Sequence, residues 1–535
     1  MTSSGEQELK GTQFPKTGMH REAMVRHLLN RAAFGPEPGQ VETLKADGAL
    51  EQWLEQQLRA DGFDPEPLAK RLDALKTLRM SRAELLEQFP RNRERRRKNA
   101  TKKTIEIIEK TATEDMAPEG LKGPSRIRSE LALAKIVRGV ESERQLQEVL
   151  VDFWFNHFNV YAGKGQVNWY ISSFESEAIR PFVFGRFRDM LKATAQHPAM
   201  LFYLDNWRSV SDSTPKPRRS RKTASRGINE NYARELLELH TVGVEGGYTQ
   251  DDIVSVAKAF TGWTIELPGK KAIFQFRDRA HDRSDITVFG RTFSGVLKPG
   301  ESGQERGERL LEHLASLPQT GRFLSQKLCR RFVADSPPVD CVEQLSRVYA
   351  ETNGDLRALY RTLFQSKSFW LAEGKKVKKP FEFLVSALRA TGARVDISQS
   401  NKVKQNVLAA MSALGEPLYL CQPPTGFKDE ASAWVNSGSL VARLKLAIAL
   451  TSSRWRSVRI DVDQLVGESA DEIDTMSNRL IGHALDGKTR QTIERALGRD
   501  NDAAGDATET DRTLKRGERK RLAALLLGAP EFQRR

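Results

Sequence analysis

The chain has 535 residues, of which 39% are hydrophobic and 29% charged, and carries a formal net charge of +15. That length allows about two to four domains or one large elaborated domain, and the modest Pro and Gly content excludes a fibrous or collagen-like chain. The positive balance favours anionic partners (nucleic acid, an acidic polymer or an anionic membrane surface) without choosing among them.

Residues 1–20 are polar and expected to form a loose tail, with residues 21–535 forming a large helical domain. "REAMVRHLLNRAAFG" places apolar residues at helical spacing up to Gly35, and Pro36 and Pro38 follow as a stop signal. "GALEQWLEQQLRA" and "PEPLAKRLDALKTLR" repeat the pattern. The basic run 91–103, "RNRERRRKNATKK", has no aromatic residue for stacking on bases, so it is expected to be a solvated surface. Helices are expected from Ile127 to Asn206 and from Gly227 to Gly262. The basic, Ser/Thr-rich segment 208–226 between them should attract anions in a salt-sensitive way, without sequence-specific nucleic-acid recognition. "KAIFQFR" and "DITVFGRTFSG" carry β-branched and aromatic runs and predict a small sheet or hairpin. Helical periodicity then runs from Arg306 to Trp370 and through most of the remainder. The expected fold class is a mainly α, multi-helix globular fold with a small β element.

Cys329, Cys341 and Cys421 show no Cys-x-x-Cys spacing, which argues against a zinc knuckle or a disulfide framework. At most one bridge could form, and three thiols in apolar surroundings are the plainer expectation. No stretch reaches about 18 uncharged apolar residues, and the N-terminal stretch shows neither an apolar signal core nor twin arginines. The expectation is a cytoplasmic protein with no membrane span.

Two helices concentrate the chemistry. In "NENYARELLELH", a helical wheel puts Glu230, Asn231, Arg234, Glu235 and Glu238 on one arc. Tyr232, Ala233, Leu236, Leu237 and Leu239 take the other arc, together with His240. The i,i+4 pairs on the polar arc could make it an ordinary solvent face. "ERQLQEVLVDFWFNHFNVYAG" is almost continuously apolar, so its helix should be buried nearly all round. Glu148, Asp152, Asn156 and Asn159 nevertheless line one stripe, with His157 on an aromatic side. Buried polar groups need partners, so the two polar stripes are expected to face each other across a cleft. Glu177, Arg180, His197, Asp205, Asn206, His281 and Asp282 are candidates to close it. A divalent metal stays an open cofactor option, with His157, His240, His281 and Asp282 as ligands, although no His-Glu-x-x-His or paired Glu-x-x-His is present. Gly-x-Ser-x-Gly, Walker and dinucleotide fingerprints are absent in suitable context.

Taken in order, "HLLNRAAFGP", "FWFNHFNV", "HPAMLFYLDN", "NENYARELLELHTVGVEGGYTQDDI", "AFTGW", "HD", "QPPTGF" and "LLLGAPEFQRR" resemble the bacterial family called domain of unknown function 1800, from about His27 to Arg535. The resemblance implies a mainly helical protein and carries no established reaction. It also implies a partner: genes of this family commonly neighbour those of domain of unknown function 1501, whose members often bear twin-arginine signals. Export as a passenger of that partner follows as an expectation. Ser284 and Ile286 stand where the family often has glycine and lysine after His-Asp, which removes that lysine from any role here.

The leading functional reading is a hydrolase-like enzyme using acid–base chemistry in the interhelical cleft. His157 and His240 would carry protons, oriented by Glu235 or Glu238 and Asp152. Asn156, Asn229 and Asn231 would position substrate, and Arg180 and Arg234 would hold an anionic group. The competing reading is a non-catalytic partner or assembly protein for the 1501 family, in which the same network only fixes helix packing. Nucleic-acid binding ranks last, because no recognition motif accompanies the charge.

Overall fold

The structure is a computed structural model describing residues 13–59, 66–90, 123–212, 227–296, 302–397, 400–452, 454–455, 457–467, 471–498 and 513–535. The basic run 91–103, residues 213–226 of the second basic segment and residues 1–12 of the tail lie outside the described residues.

The fold is mainly helical with small β elements, and its helices begin and end where local chemistry directs. Arg21–Ala32 stops just before Gly35, whose φ of 97° lies in the left-handed region that favours glycine. Thr249 and Ser302 form capping boxes with Asp252 and Glu305, satisfying orphan N–H groups at the starts of Gln250–Ala259 and Gly303–Ser316. Pro318 and Pro380 open the helices Pro318–Phe332 and Pro380–Ala390, where a missing N–H costs nothing. Leu356, Leu359, Tyr360, Leu363 and Phe364 make the buried stripe of Leu356–Gln365.

Among the described residues the strands form three antiparallel two-stranded pairs. Trp263–Glu266 pairs with Ile273–Phe276, and Ile286–Val288 with Arg291–Phe293, which places the two runs named above in separate pairs. The third pair, Arg394–Val395 with Val458–Arg459, has two residues a side and too little pattern to be read from sequence. Buried apolar residues from Val25 to Phe532 form one connected core. No described helix is long and apolar enough to cross a membrane.

The helix Gln145–His157 runs through that core, with every residue buried except Asn156. Two segments wind as wider π-turns, Phe174–Ile179 and Leu236–His240. Pro318–Phe332 and Val339–Glu351 pack as a helical hairpin stapled by a disulfide between Cys329 and Cys341, while Cys421 stays free and buried. The expectation of three free thiols is therefore corrected. The turn at 333–338 folds the two helices back so that sulfurs 12 residues apart meet.

Denatured without reductant, the protein should show one titratable thiol, and three after reduction. Cys329→Ala/Cys341→Ala should lower unfolding stability by about 3 kcal/mol, the scale for a short closed loop; chemical denaturation checks this, and three thiols without reductant would overturn the bridge.

Candidate functional site

The polar stripe of Gln145–His157 finds its partners on elements other than the one expected. Glu148 accepts two hydrogen bonds from Arg180, at 2.6 and 2.9 Å, and Arg180 also lies 3.5 Å from Glu175. One helical turn on, Asp152 pairs with Lys135 at 2.6 Å, Lys379 at 3.2 Å and Arg331 at 3.9 Å. Further along, Asn156 both donates to and accepts from the backbone of Phe427, at 2.9 and 2.8 Å. Asn159 donates to the carbonyls of Cys421 and Pro423. The two asparagines thus clamp the "QPPTGF" loop, and Gly426, at φ 72°, is what lets that loop approach: a Cβ there would collide with the Asn156 carbonyl. The two stripes do not meet across a cleft. This corrects the expected geometry.

Asp152 anchors a wider buried network. Lys379 lies 3.6 Å from Glu416, Glu382 pairs with both Arg331 and Arg535, and Asp429 pairs with Lys376 at 3.1 Å. Burial alone would raise the Asp152 carboxyl, but Lys135, Lys379 and Arg331 together hold it well below the ordinary carboxylate range. Burial works against the charged form of Lys379 too, and Asp152 and Glu416 reverse that, holding its ammonium above the usual lysine value. Glu416 is the loser in this exchange: its burial outweighs Lys379 and raises its carboxyl.

The helix Glu230–Glu235 turns its polar arc to the surface. Glu230 accepts from Gln250 at 2.8 Å, Arg234 donates to Gln250 and lies 3.6 Å from Glu238, and Glu238 accepts from Tyr248 at 2.5 Å. Asn229 caps the helix by accepting from the Tyr232 N–H, and its amide donates to the Leu204 carbonyl. Asn231 is exposed. Glu235 is half-buried, and desolvation followed by the neighbouring Glu238 raises its carboxyl.

Contact between the two motif helices comes through the histidines instead. His157 Nε2 lies 3.1 Å from the His240 carbonyl, so it donates to an acceptor left open at the end of the π-turn. The two rings are 6.2 Å apart, beside Phe158 and Trp154. Burial, then the nearby Lys327, lowers His240 to about 3 and holds His157 well below its ordinary value, so both are neutral at physiological pH. Lys327 itself is lowered by burial to about 8.

His281 and Asp282 sit elsewhere, in a knot beside the strands. His281 Nδ1 lies 2.9 Å from the Thr261 carbonyl, Asp282 accepts from Ser211 and Ser284, and Arg306 donates to the carbonyls of 282 and 284. Among the described residues no group of three or more His, Cys, Asp or Glu side chains could hold a metal ion. The four candidate ligands are not brought together. Arg180, saturated by Glu148 and Glu175, is likewise not free to hold an anionic substrate group.

Residues 27–534 match the family described as "Protein of unknown function (DUF1800)". The chain belongs to that family. No curated protein and no solved structure matches it. The DUF1800 motifs "FWFNHFNV" and "QPPTGF" thus contribute mostly buried, mutually satisfied contacts, whereas "HLLNRAAFGP" and the closing "EFQRR" border a cleft.

That cleft, of about 1410 Å³, lies between the helix Arg21–Ala32, the second half of Pro380–Ala390 and residues 464–465, 478–483 and 531–535. Lys378, Ser386, Asn30 and His27 all line it. Sequence reasoning passed over them, although a signal existed. Glu382, Ser386 and Arg389 interrupt the apolar run "PFEFLVSALRA" at helical spacing, the same kind of stripe that singled out Asp152.

Asp152→Ala should cost about 3–5 kcal/mol, because it strands Lys135 and Lys379 in the interior. Acid should weaken the fold through the histidines. Their folded values lie below the unfolded one, so stability present above about pH 6.5 is lost as the pH falls towards 3. Denaturant melts at pH 7 and 4.5 test this, and His240→Gln should shrink the difference; an unchanged pH dependence would contradict it.

Proposed function

We propose that this DUF1800 protein is a hydrolase-like enzyme using acid–base chemistry, with its reaction centre in the large cleft and not between the motif helices. One observation carries the reading: Lys378 is a buried amine on the cleft wall with no ion-pair partner among the described residues. Its backbone is fixed by hydrogen bonds to Gln533 and Arg443. Its ammonium lies 3.8 Å from the centre of the Phe532 ring. Burial is the main cause that lowers it to about 7, with Arg535 and Arg443 adding to the effect against Glu382. A base poised near the operating pH serves proton transfer best. In this reading His157, His240 and Asp152 support the fold, and the half-exposed Glu235 and Arg234 are left as surface groups.

The disulfide Cys329–Cys341 favours folding in an oxidising compartment, which supports export with a signal-bearing partner over residence in the cytoplasm. One surface favours the second reading, a partner or assembly protein for a member of the 1501 family. The helix Ser437–Thr451 exposes Leu440, Val441, Leu444 and Ile448, with Val435 just before it, and contiguous exposed apolar side chains mark protein contacts.

Assays of the full chain against chromogenic esters, phosphate esters and glycosides should find hydrolysis that rises with pH through about 7 as the Lys378 amine deprotonates. Lys378→Met keeps the apolar stem and should remove that activity by roughly 100-fold or more, with folding intact by thermal melt. Activity that survives in Lys378→Met would overturn the assignment. For the second reading, Leu440→Asp/Leu444→Asp should abolish co-purification with the 1501-family partner; retained binding would count against this face.

A further inference from the structure

We propose that Ser386 is a nucleophile activated by Lys378, making the cleft an acyl-transfer site for carboxylic esters or amides. The inference rests on the hydrolase-like reading above and adds a covalent intermediate to it. Ser386 lies on Pro380–Ala390, a buried helix whose rotamers are confined by packing, and Lys378 precedes that helix by two residues. The Lys378 ammonium donates to Ser386 Oγ at 2.8 Å. Once deprotonated, the same nitrogen can accept the Ser386 hydroxyl proton across the same distance. Burial and neighbouring guanidinium groups favour that neutral form. A hydroxyl within hydrogen-bond reach of an uncharged amine is the minimal arrangement for an activated serine, and serine–lysine pairs are among the variants that convergent hydrolases use.

The space around Ser386 suits the reaction. Gly35 faces the hydroxyl from the turn after Arg21–Ala32, and a Cβ there would stand 3.0 Å from Ser386 Oγ and 3.4 Å from Asn30 Oδ1. The missing side chain thus leaves the hydroxyl uncrowded on the Gly35 side, with the Asn30 side chain just beyond. Asn30 lines the cleft with Oδ1 towards Gly35 and makes no side-chain hydrogen bond among the described residues, so its amide is free to turn its N–H towards a developing oxyanion. Phe532 also lines the cleft, with its ring centre 3.8 Å from the Lys378 amine.

The chemistry balances with these groups and water. Ser386 Oγ attacks the carbonyl carbon while its proton passes to Lys378 Nζ, and the oxyanion accepts from Asn30. As the carbon–oxygen or carbon–nitrogen bond breaks, Lys378 returns the proton to the leaving alcohol or amine, and an ester on Ser386 remains. Water, deprotonated by the same amine, then attacks that ester, releases the carboxylic acid and restores the serine.

The test uses the full chain and p-nitrophenyl acetate. The expected result is a burst of p-nitrophenol approaching one equivalent, with the acetyl group on Ser386 by peptide mass mapping. The burst rate should rise with pH through about 7. Ser386→Ala should abolish the burst at unchanged melting temperature. Ser386→Cys, which keeps a nucleophile of similar size, should still be acetylated and guards against a folding artefact in the alanine variant. Asn30→Ala should slow acylation by roughly 100-fold. Acetyl found on Lys378 would overturn the dyad. So would Lys378-dependent hydrolysis that persists in Ser386→Ala with no adduct, and in that case direct base catalysis on water, the broader reading, stands. Absence of any Lys378-dependent hydrolysis removes both.

Discussion

A single carboxylate, Asp152, ties together four stretches of chain that are far apart in sequence. It sits midway along the most buried helix and faces Lys135, Arg331 and Lys379 at once. A lone charge in that position would be prohibitively costly, so the helix Gln145–His157 can occupy the core only when all those cations arrive with it. Their own unmet charge recruits Glu382, Glu416 and Asp429, which in turn hold Arg535 and Lys376. Helix packing in the centre of the molecule is thus dictated by charge neutralisation as much as by apolar area.

The cleft inherits its character from this network. Arg535 lies in both: it pairs with Glu382 inside and lines the cleft outside. The carboxylates nearest Lys378 are already engaged by Arg331, Arg535 and Lys379, so the amine faces cations and an aromatic ring with no anion of its own. Of the buried lysines among the described residues, Lys135, Lys376 and Lys379 form ion pairs, and Lys378, which forms none, borders the cleft.

Much of this architecture was legible in the sequence, and the losses have physical causes. The burial of Gln145–His157 followed from its apolar run, and the strands at Ile273–Phe276 and Ile286–Phe293 from their β-branched residues. Trp263–Glu266 was passed over because four residues beside a glycine show no alternation to count. A helical wheel gave the direction of the Asp152 stripe correctly but could not name what lay opposite, since Lys135, Arg331 and Lys379 come from three unrelated segments. The wheel placed His240 on the apolar arc, and the residue is buried there although the backbone winds as a π-turn and departs from the 100° step. The Lys378–Ser386 pair was hidden for a different reason. A lysine in the run "KKVKKP" resembles solvated charge until the tertiary structure buries it.

The short backbone pairing of Val377 with Arg534 has a consequence for biosynthesis. Arg31, near the beginning, bonds the Ala372 carbonyl, and Arg535 bonds the Arg331 carbonyl 204 residues before it. At ribosomal speeds of about 5–20 residues per second, on the order of 30–100 s separate the emergence of Arg31 from that of Arg535. Until then Glu382 lacks the Arg535 half of its ion pairing and the Arg331 carbonyl lacks its Arg535 donor. The contacts of Arg534 and Arg535 with segments near 331 and 377–382 are therefore among the last that synthesis makes available.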